Sequence, residues 1–191
     1  MKKLMKKILG LPDFIYNRVI LAYRGVAYGA NLTIHGRLYC VSNTKNGIVI
    51  GDHVSINSNR KSNPIGGDTK TTLFAKDKGK IRIGNHCGLS NVTIFANESV
   101  VIGNQVLLGG STKIYDTDFH WLDLEKRMNE KGSVTKPVEI KDGVFVGAHS
   151  IILKGVTIGE GSVIGAGSVV AKSIPAGEIW AGNPAKFIRK I

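Results

Sequence analysis

The stretch IKDGVFVGAHSIILKGVTIGEGSVIGAGSVVAKSIPA, residues 140–176, repeats a pattern every six residues. Ile140, Val146, Ile152, Ile158, Ile164 and Val170 hold an aliphatic position. Four places after each stands a small or branched residue: Val144, Ser150, Val156, Ser162, Ser168 and Ile174. Gly147, Gly159 and Gly165 follow three of the aliphatics directly. A chance six-residue period does not persist over so many units with two positions constrained, so the period is architectural. Each hexad supplies a short strand with one inward aliphatic, then a turn that needs a small or left-handed-tolerant residue. No hexad buries its apolar face alone, and stability therefore comes from stacking coil on coil.

The same rule extends towards the N-terminus. Ile102, Leu108 and Ile114 hold the aliphatic position, and so on this spacing do Ile83, Leu89 and Phe95. Their partners are Cys87, Thr93, Ser99, Val106 and Thr112, which makes Cys87 a core thiol. A fainter start lies at Leu32, Leu38 and Ile50. Composition agrees: 24 glycines in 191 residues are about 13%, against a usual share of about 7%. With only 5 prolines and no G-X-Y period, those glycines mark many tight turns rather than collagen.

The balance of 26 basic and 14 acidic residues gives a net charge of +12 and favours anionic partners. No RNP-type aromatic motif, zinc-finger spacing or helix-turn-helix pattern supports nucleic acid as that partner. Cys40 and Cys87 form neither a CxxC pair nor a disulfide framework, which fits a reducing, cytoplasmic setting. Residues 1–29, before the repeats, predict a short helix capped by Asp13 and ended at Gly25. It carries Phe14, Ile15, Val19 and Leu21 beside Arg18 and Arg24, and is too polar to span a bilayer. Packing against the main domain or a sister subunit is the favoured use. Peripheral contact with the inner membrane surface is the alternative, prompted by Lys2, Lys3, Lys6 and Lys7.

The segments IGDHVSI, IGNHCGLSNVTI, VGAHSIILKGVTIGEGSVIGAGSVVAKSIPAG and AGNPAKFIRKI resemble the hexapeptide-repeat acyltransferases through most of residues 30–191. The resemblance implies an all-β fold, a left-handed parallel β-helix, and a homotrimer with active sites between subunits. That hand departs from the usual right-handed crossover and does not follow from the spacing.

A site on a rigid solenoid shows as a departure from the repeat. Two interruptions occur, at 57–82 and at 115–139. The second holds Tyr115, Asp116, Asp118, His120, Trp121, Asp123 and Glu125. Its DFHWLDLEKR is similar to the catalytic loop of the sugar and polysaccharide O-acetyltransferase branch, which includes the maltose and galactoside acetyltransferases. The resemblance makes His120 the general base that deprotonates an acceptor hydroxyl. Imidazole suits the task, because its ordinary pKa near 6.5 lets it accept and return a proton at neutral pH. Asp116 and Asp118 are both candidates to orient the ring, and a solvated loop carboxylate is the bland reading of either. Asn91 falls where that branch places an acceptor-site asparagine, though a corner asparagine is as often a turn residue. Trp121 and Tyr115 offer a sugar-stacking surface or pack the loop.

Acetyl-CoA as the acetyl donor, with no metal, is likewise implied by the resemblance. Family members thread pantetheine along segments matching Gly147, Ala148, Gly165, Ala166 and Gly167, where turn geometry alone also demands small residues. Phe145 stands where the maltose branch commonly has tryptophan, which puts the fit of the pantetheine arm in question. Lys172, Lys186 and Arg189 match basic positions that hold the nucleotide phosphates.

The expected function is thus acetyl transfer to a sugar hydroxyl, in bacterial surface polysaccharide biosynthesis. N-acetylation of a nucleotide-linked amino sugar is the alternative within the class. Outside it stand a non-catalytic β-helix module and a gamma-type carbonic anhydrase. The last requires three histidines converging on zinc, whereas His35, His53, His86, His120 and His149 are spread along the chain.

Overall fold

The computed structural model of the chain describes residues 2–191, with side chains from Leu11 onward. Three parallel sheets wrap one apolar column, so the chain is a parallel β-helix with a triangular section. The first sheet stacks Ala27–Tyr28, Ile48–Ile50, Lys80–Ile83, Ser99–Ile102, Val138–Ile140 and Thr157–Ile158. The second begins at Thr33–Gly36 and the third at Tyr39–Ser42, and each gains one strand per coil.

Register explains why the repeat must be aliphatic. On the first sheet Ile50, Ile83, Ile102, Ile140, Ile158 and Ile174 are consecutive partners, one above another. On the third, Cys40, Leu73, Ile94, Ile114, Ile152 and Val170 do the same. All of these side chains are buried. The residue four places on from each aliphatic is a corner slot, and serine fills it for a reason. Ser150 Oγ donates to the carbonyls of Gly147 (2.8 Å) and Gly165 (3.1 Å), and Ser162 Oγ to that of Pro175 (2.7 Å). A buried corner carbonyl is thereby satisfied by a side chain that adds almost no volume. Cys87 occupies the same slot, its Sγ 3.1 Å from the Gly103 carbonyl.

Corners between the first and second sheets need one left-handed residue each. Asn31, His53, His86 and Gln105 supply it at φ near 57°, and Gly143, Gly161 and Gly177 take over further along. Repeated corners thus account for much of the glycine. They also bring together two histidines that lie far apart in sequence: the rings of His53 and His86 stack at 4.8 Å.

Four expectations change. The inward residue of the third-sheet strand Thr93–Ala96 is Ile94 rather than Phe95, with Val92 and Val100 buried in place of Thr93 and Ser99. The corner at Asn91 is one residue shorter than its neighbours, which flips the alternation and sends Phe95 outward. The first interruption is shorter than 57–82, because Thr72–Ala75 and Lys80–Ile83 are strands paired on both sides. Only residues 59–71 leave the coil there. The N-terminal helix, α1 (Lys2–Tyr23), begins well before Asp13. Asp13 does not cap it; its carboxylate accepts from Arg37 Nε at 2.8 Å. Gly25, at φ 60°, does end it: the N–H groups of Gly25 and Val26 return to the carbonyls of Ala22 and Leu21. Finally, the coils begin at Ala27, which already pairs with Val49, so residues 27–28 belong to the β-helix.

Both ends of the column are covered. Leu21 and Ile20 of α1 pack over the first coil. At the other end Lys186–Lys190 folds back antiparallel on Glu178–Ala181, with Trp180 and Ala185 against the core. A solenoid needs such caps, since an open last coil would expose its column and its strand edges.

Candidate active site

The second interruption leaves the coil after Lys113–Tyr115 and returns at Val138–Ile140. Its base is pinned by Asp116. That carboxylate is fully buried and accepts from the backbone N–H groups of Asn97, Glu98 and Ser99 at 2.7–3.0 Å. Asp116 is therefore a hinge pin of the loop, and its oxygens are committed away from the imidazole. Thr117 and Thr135 then bridge the two legs of the loop, their hydroxyls 3.2 Å apart.

His120 stands exposed, directly after a residue that packs into a perch of aromatic rings. Phe119, its neighbour, takes a left-handed backbone at φ 65°, a strained choice for a large side chain. Packing holds it there: its ring lies 4.9 Å from Phe95 and 5.3 Å from Tyr115, and Phe95 stacks on Phe74 at 5.1 Å. The outward turn of Phe95 is what supplies this platform. Tyr115 is thus a wall of the perch, and burial pushes its phenol pKa up.

Asp118 Oδ1 pairs with Lys154 Nζ at 2.7 Å, and its buried Oδ2 has no partner among the described residues. Trp121 packs inside the loop, with Lys126 Nζ 5.4 Å over its ring and its buried Nε1 without a partner among the described residues. Beyond it Asp123 caps the short helix α2 (Leu124–Asn129) by accepting from Lys126 N. Lys154 had no motif to announce it; its spacing one coil after the loop was the available signal.

Asn91 is buried at a corner with φ 52°. The segment 59–71 folds over it: Asn91 Nδ2 donates to the Thr69 carbonyl, and Gly66 lies so close that a Cβ there would meet Asn91 Cγ at 2.5 Å. Asn91 Oδ1 is buried and has no partner among the described residues.

The small residues assigned to the coenzyme gather at another corner, between the second and third sheets of the last coils, and the remaining ones lie outside it. Gly147 and Ala148 sit one coil below Gly165, Ala166 and Gly167. Gly147 and Gly167 differ in what demands them. A Cβ on Gly147 would meet the Ala166 nitrogen at 2.5 Å, so coil stacking requires glycine there. A Cβ on Gly167 would meet nothing within 4 Å; its φ of 71° requires glycine while the space above stays open. Phe145 is exposed on the second sheet, in register with Leu107 and Val163. Lys172 and Lys186 line a cleft with Ala171, Trp180, Pro184 and Phe187. Arg189 lies on the closing strand, paired with Ile179. Aromatic walls with cations at the rim suit an adenine nucleotide carrying phosphates. Trp180 and Phe187 were not distinguished in the sequence.

Among the described residues no three His, Cys, Asp or Glu side chains converge as metal ligands.

Residues 137–172 match the family model for the bacterial transferase hexapeptide (six repeats). No curated protein sequence matches the chain significantly. Among solved structures, the chain is similar to a hexapeptide-repeat-containing acetyltransferase from Vibrio cholerae complexed with acetyl coenzyme A. Identity is 27% and the TM-score 0.60, over 89% of this chain and 73% of that one. A maltose O-acetyltransferase from Clostridium difficile is similar at 26% identity and a TM-score of 0.58, over 91% and 74%. An N-acyltransferase from Bacillus cereus, in complex with dTDP-4-amino-4,6-dideoxyglucose and coenzyme A, shares the fold at 24% identity. Its TM-score is 0.70, over 92% of this chain and 89% of that one. The class so defined is the left-handed parallel β-helix of hexapeptide repeats. Within it, the chain is built on the fold of the hexapeptide-repeat acetyltransferases.

Proposed function

We propose that the chain is an acetyl-CoA-dependent O-acetyltransferase acting on a sugar hydroxyl of a bacterial surface polysaccharide or its precursor, with His120 as general base. The observation that carries this is the exposed His120 beside the aromatic perch of Phe119, at the place where an otherwise regular coil is interrupted. The acetyl thioester supplies the electrophile. His120 takes the proton from the acceptor hydroxyl as that oxygen attacks the thioester carbon, then returns it to the leaving thiolate. General-base assistance of this kind is worth about 10²–10⁴ in rate. Trp121 and Asp118 flank His120 in sequence and are the loop's candidates for holding the sugar, whereas Asn91, buried beneath residues 59–71, holds that segment. The open space above Gly167 and the cleft of Lys172, Lys186 and Trp180 fit the pantetheine and nucleotide ends of the coenzyme, with Phe145 beside the path.

The active unit in this reading is a homotrimer in the cytoplasm. Within one chain, the loop of His120 leaves the third sheet on the side facing the first, whereas Gly147, Ala148, Gly165, Ala166 and Gly167 occupy the corner facing the second. A neighbouring copy that brings its coenzyme corner to this loop completes the site.

The test is an acceptor screen that follows acetyl-CoA consumption with free sugars, nucleotide sugars and lipid-linked oligosaccharides. Acceptor-dependent consumption yielding an O-acetyl ester is the expected result. An N-acetyl product on an amino sugar would replace the acceptor, and no consumption with any acceptor would refute the activity.

A further inference from the structure

We infer that α1 is an interfacial anchor, laying its outward face on an anionic lipid surface. One side of the helix is firmly seated on the first coil. Asn17 is buried, donating to the Gly36 carbonyl (2.8 Å) and accepting from Leu38 N (3.0 Å), and Leu21 is buried beside it. The opposite side carries Leu11, Ile15, Val19 and Tyr23 at four-residue intervals, exposed by 53, 53, 62 and 77%. Residues four apart share a helix face, so these four form one stripe, with Phe14 at its margin. A helix on a water-facing surface normally turns its polar side outward. This one turns outward a contiguous apolar patch of the kind that marks a docking surface.

The charge around the stripe says what docks. In the sequence Ile8 and Leu4 stand three and seven residues before Leu11, and Lys2, Lys3, Lys6 and Lys7 fill the first two turns. At the other end, Asn46 N donates to the Gly25 carbonyl at 2.8 Å, and there a basic groove begins. It is lined by Lys45, Lys78, Lys80 and Arg82, with Glu98 the one carboxylate in its lining. An apolar stripe with cations at both ends matches an acyl boundary beneath anionic headgroups, whose phosphates the groove would take. Pairing α1 with α1 of a second copy would instead crowd like charges on chains that already carry +12 each. No helix among the described residues is long and apolar enough to cross a membrane, so α1 lies along the surface over roughly 33 Å for its 22 residues.

The inference is independent of acetyl transfer, because docking is measured without coenzyme or acceptor. The full chain is co-sedimented with vesicles of phosphatidylcholine alone and with 30% phosphatidylglycerol, a composition chosen on the order of a bacterial anionic fraction. Binding to the anionic vesicles is expected to exceed binding to neutral ones at least tenfold and to fall with salt. Ile15→Glu/Val19→Glu should reduce it at least tenfold with thermal stability unchanged, and Ile15→Ser/Val19→Ser should do so more mildly. Lys78→Glu/Lys80→Glu should lower the preference for anionic lipid. Equal binding to both vesicle types, or wild-type binding by both stripe variants, would overturn the inference. So would a stripe variant that lowers the oligomeric mass, which would assign the stripe to a second copy.

Discussion

Asp116 and Asp118 stand two residues apart in one loop, yet they are opposite kinds of residue. Asp116 gathers three backbone N–H groups of the coil below, and Asp118 holds a lysine of the coil above. Asp116→Ala would leave those three buried donors unpaired, and losing even part of that satisfaction is worth about 3 kcal/mol. Urea unfolding should show this loss, whereas Asp118→Ala should cost far less stability. The two buried thiols give a pH prediction. Burial pushes Cys40 up to about 12 from 9.0, although the Arg24 charge opposes the shift. Cys87 is raised chiefly by burial as well. The folded chain keeps protons that the unfolded chain releases, so stability falls as pH rises from about 9 towards 12. Neither thiol should react with a thiol reagent at pH 8 until denaturant is added.

Elements explain what the sequence disclosed and what it withheld. The coils were legible because two constrained positions recur at a fixed period, and the partners Ile140, Ile158 and Ile174 sit in direct register. Phe95 was misread because the short corner after Leu89 is followed by a longer one before Ile102, which nearly restores the period. His120 was legible as part of an interruption. The perch beside it was not, since Phe74, Phe95 and Phe119 meet only once the coils stack. In the proposed mechanism Phe119 is a positioning residue. Phe119→Ala should lower kcat about tenfold, the scale of a small misplacement of a catalytic group, while leaving KM for acetyl-CoA nearly unchanged. The pH dependence of the residual rate should still report one imidazole. A fall in thermal stability matching the loss of activity would show a role in folding instead.

At the scale of the whole molecule, the rigid column sets His120 and the coenzyme corner on different edges of one chain, which is why the proposed site needs a neighbour. Light scattering of the purified chain should give about three times 20.5 kDa. A monomer with full activity would contradict the shared site. The claim on which the rest depends is that His120 moves the proton. The most direct measurement is kcat with saturating acetyl-CoA and acceptor for the wild type and His120→Ala, with coenzyme affinity determined in parallel. The account predicts a loss of about 10²–10⁴ in kcat at unchanged coenzyme affinity. A variant that transfers acetyl groups at the wild-type rate would show that another residue is the base.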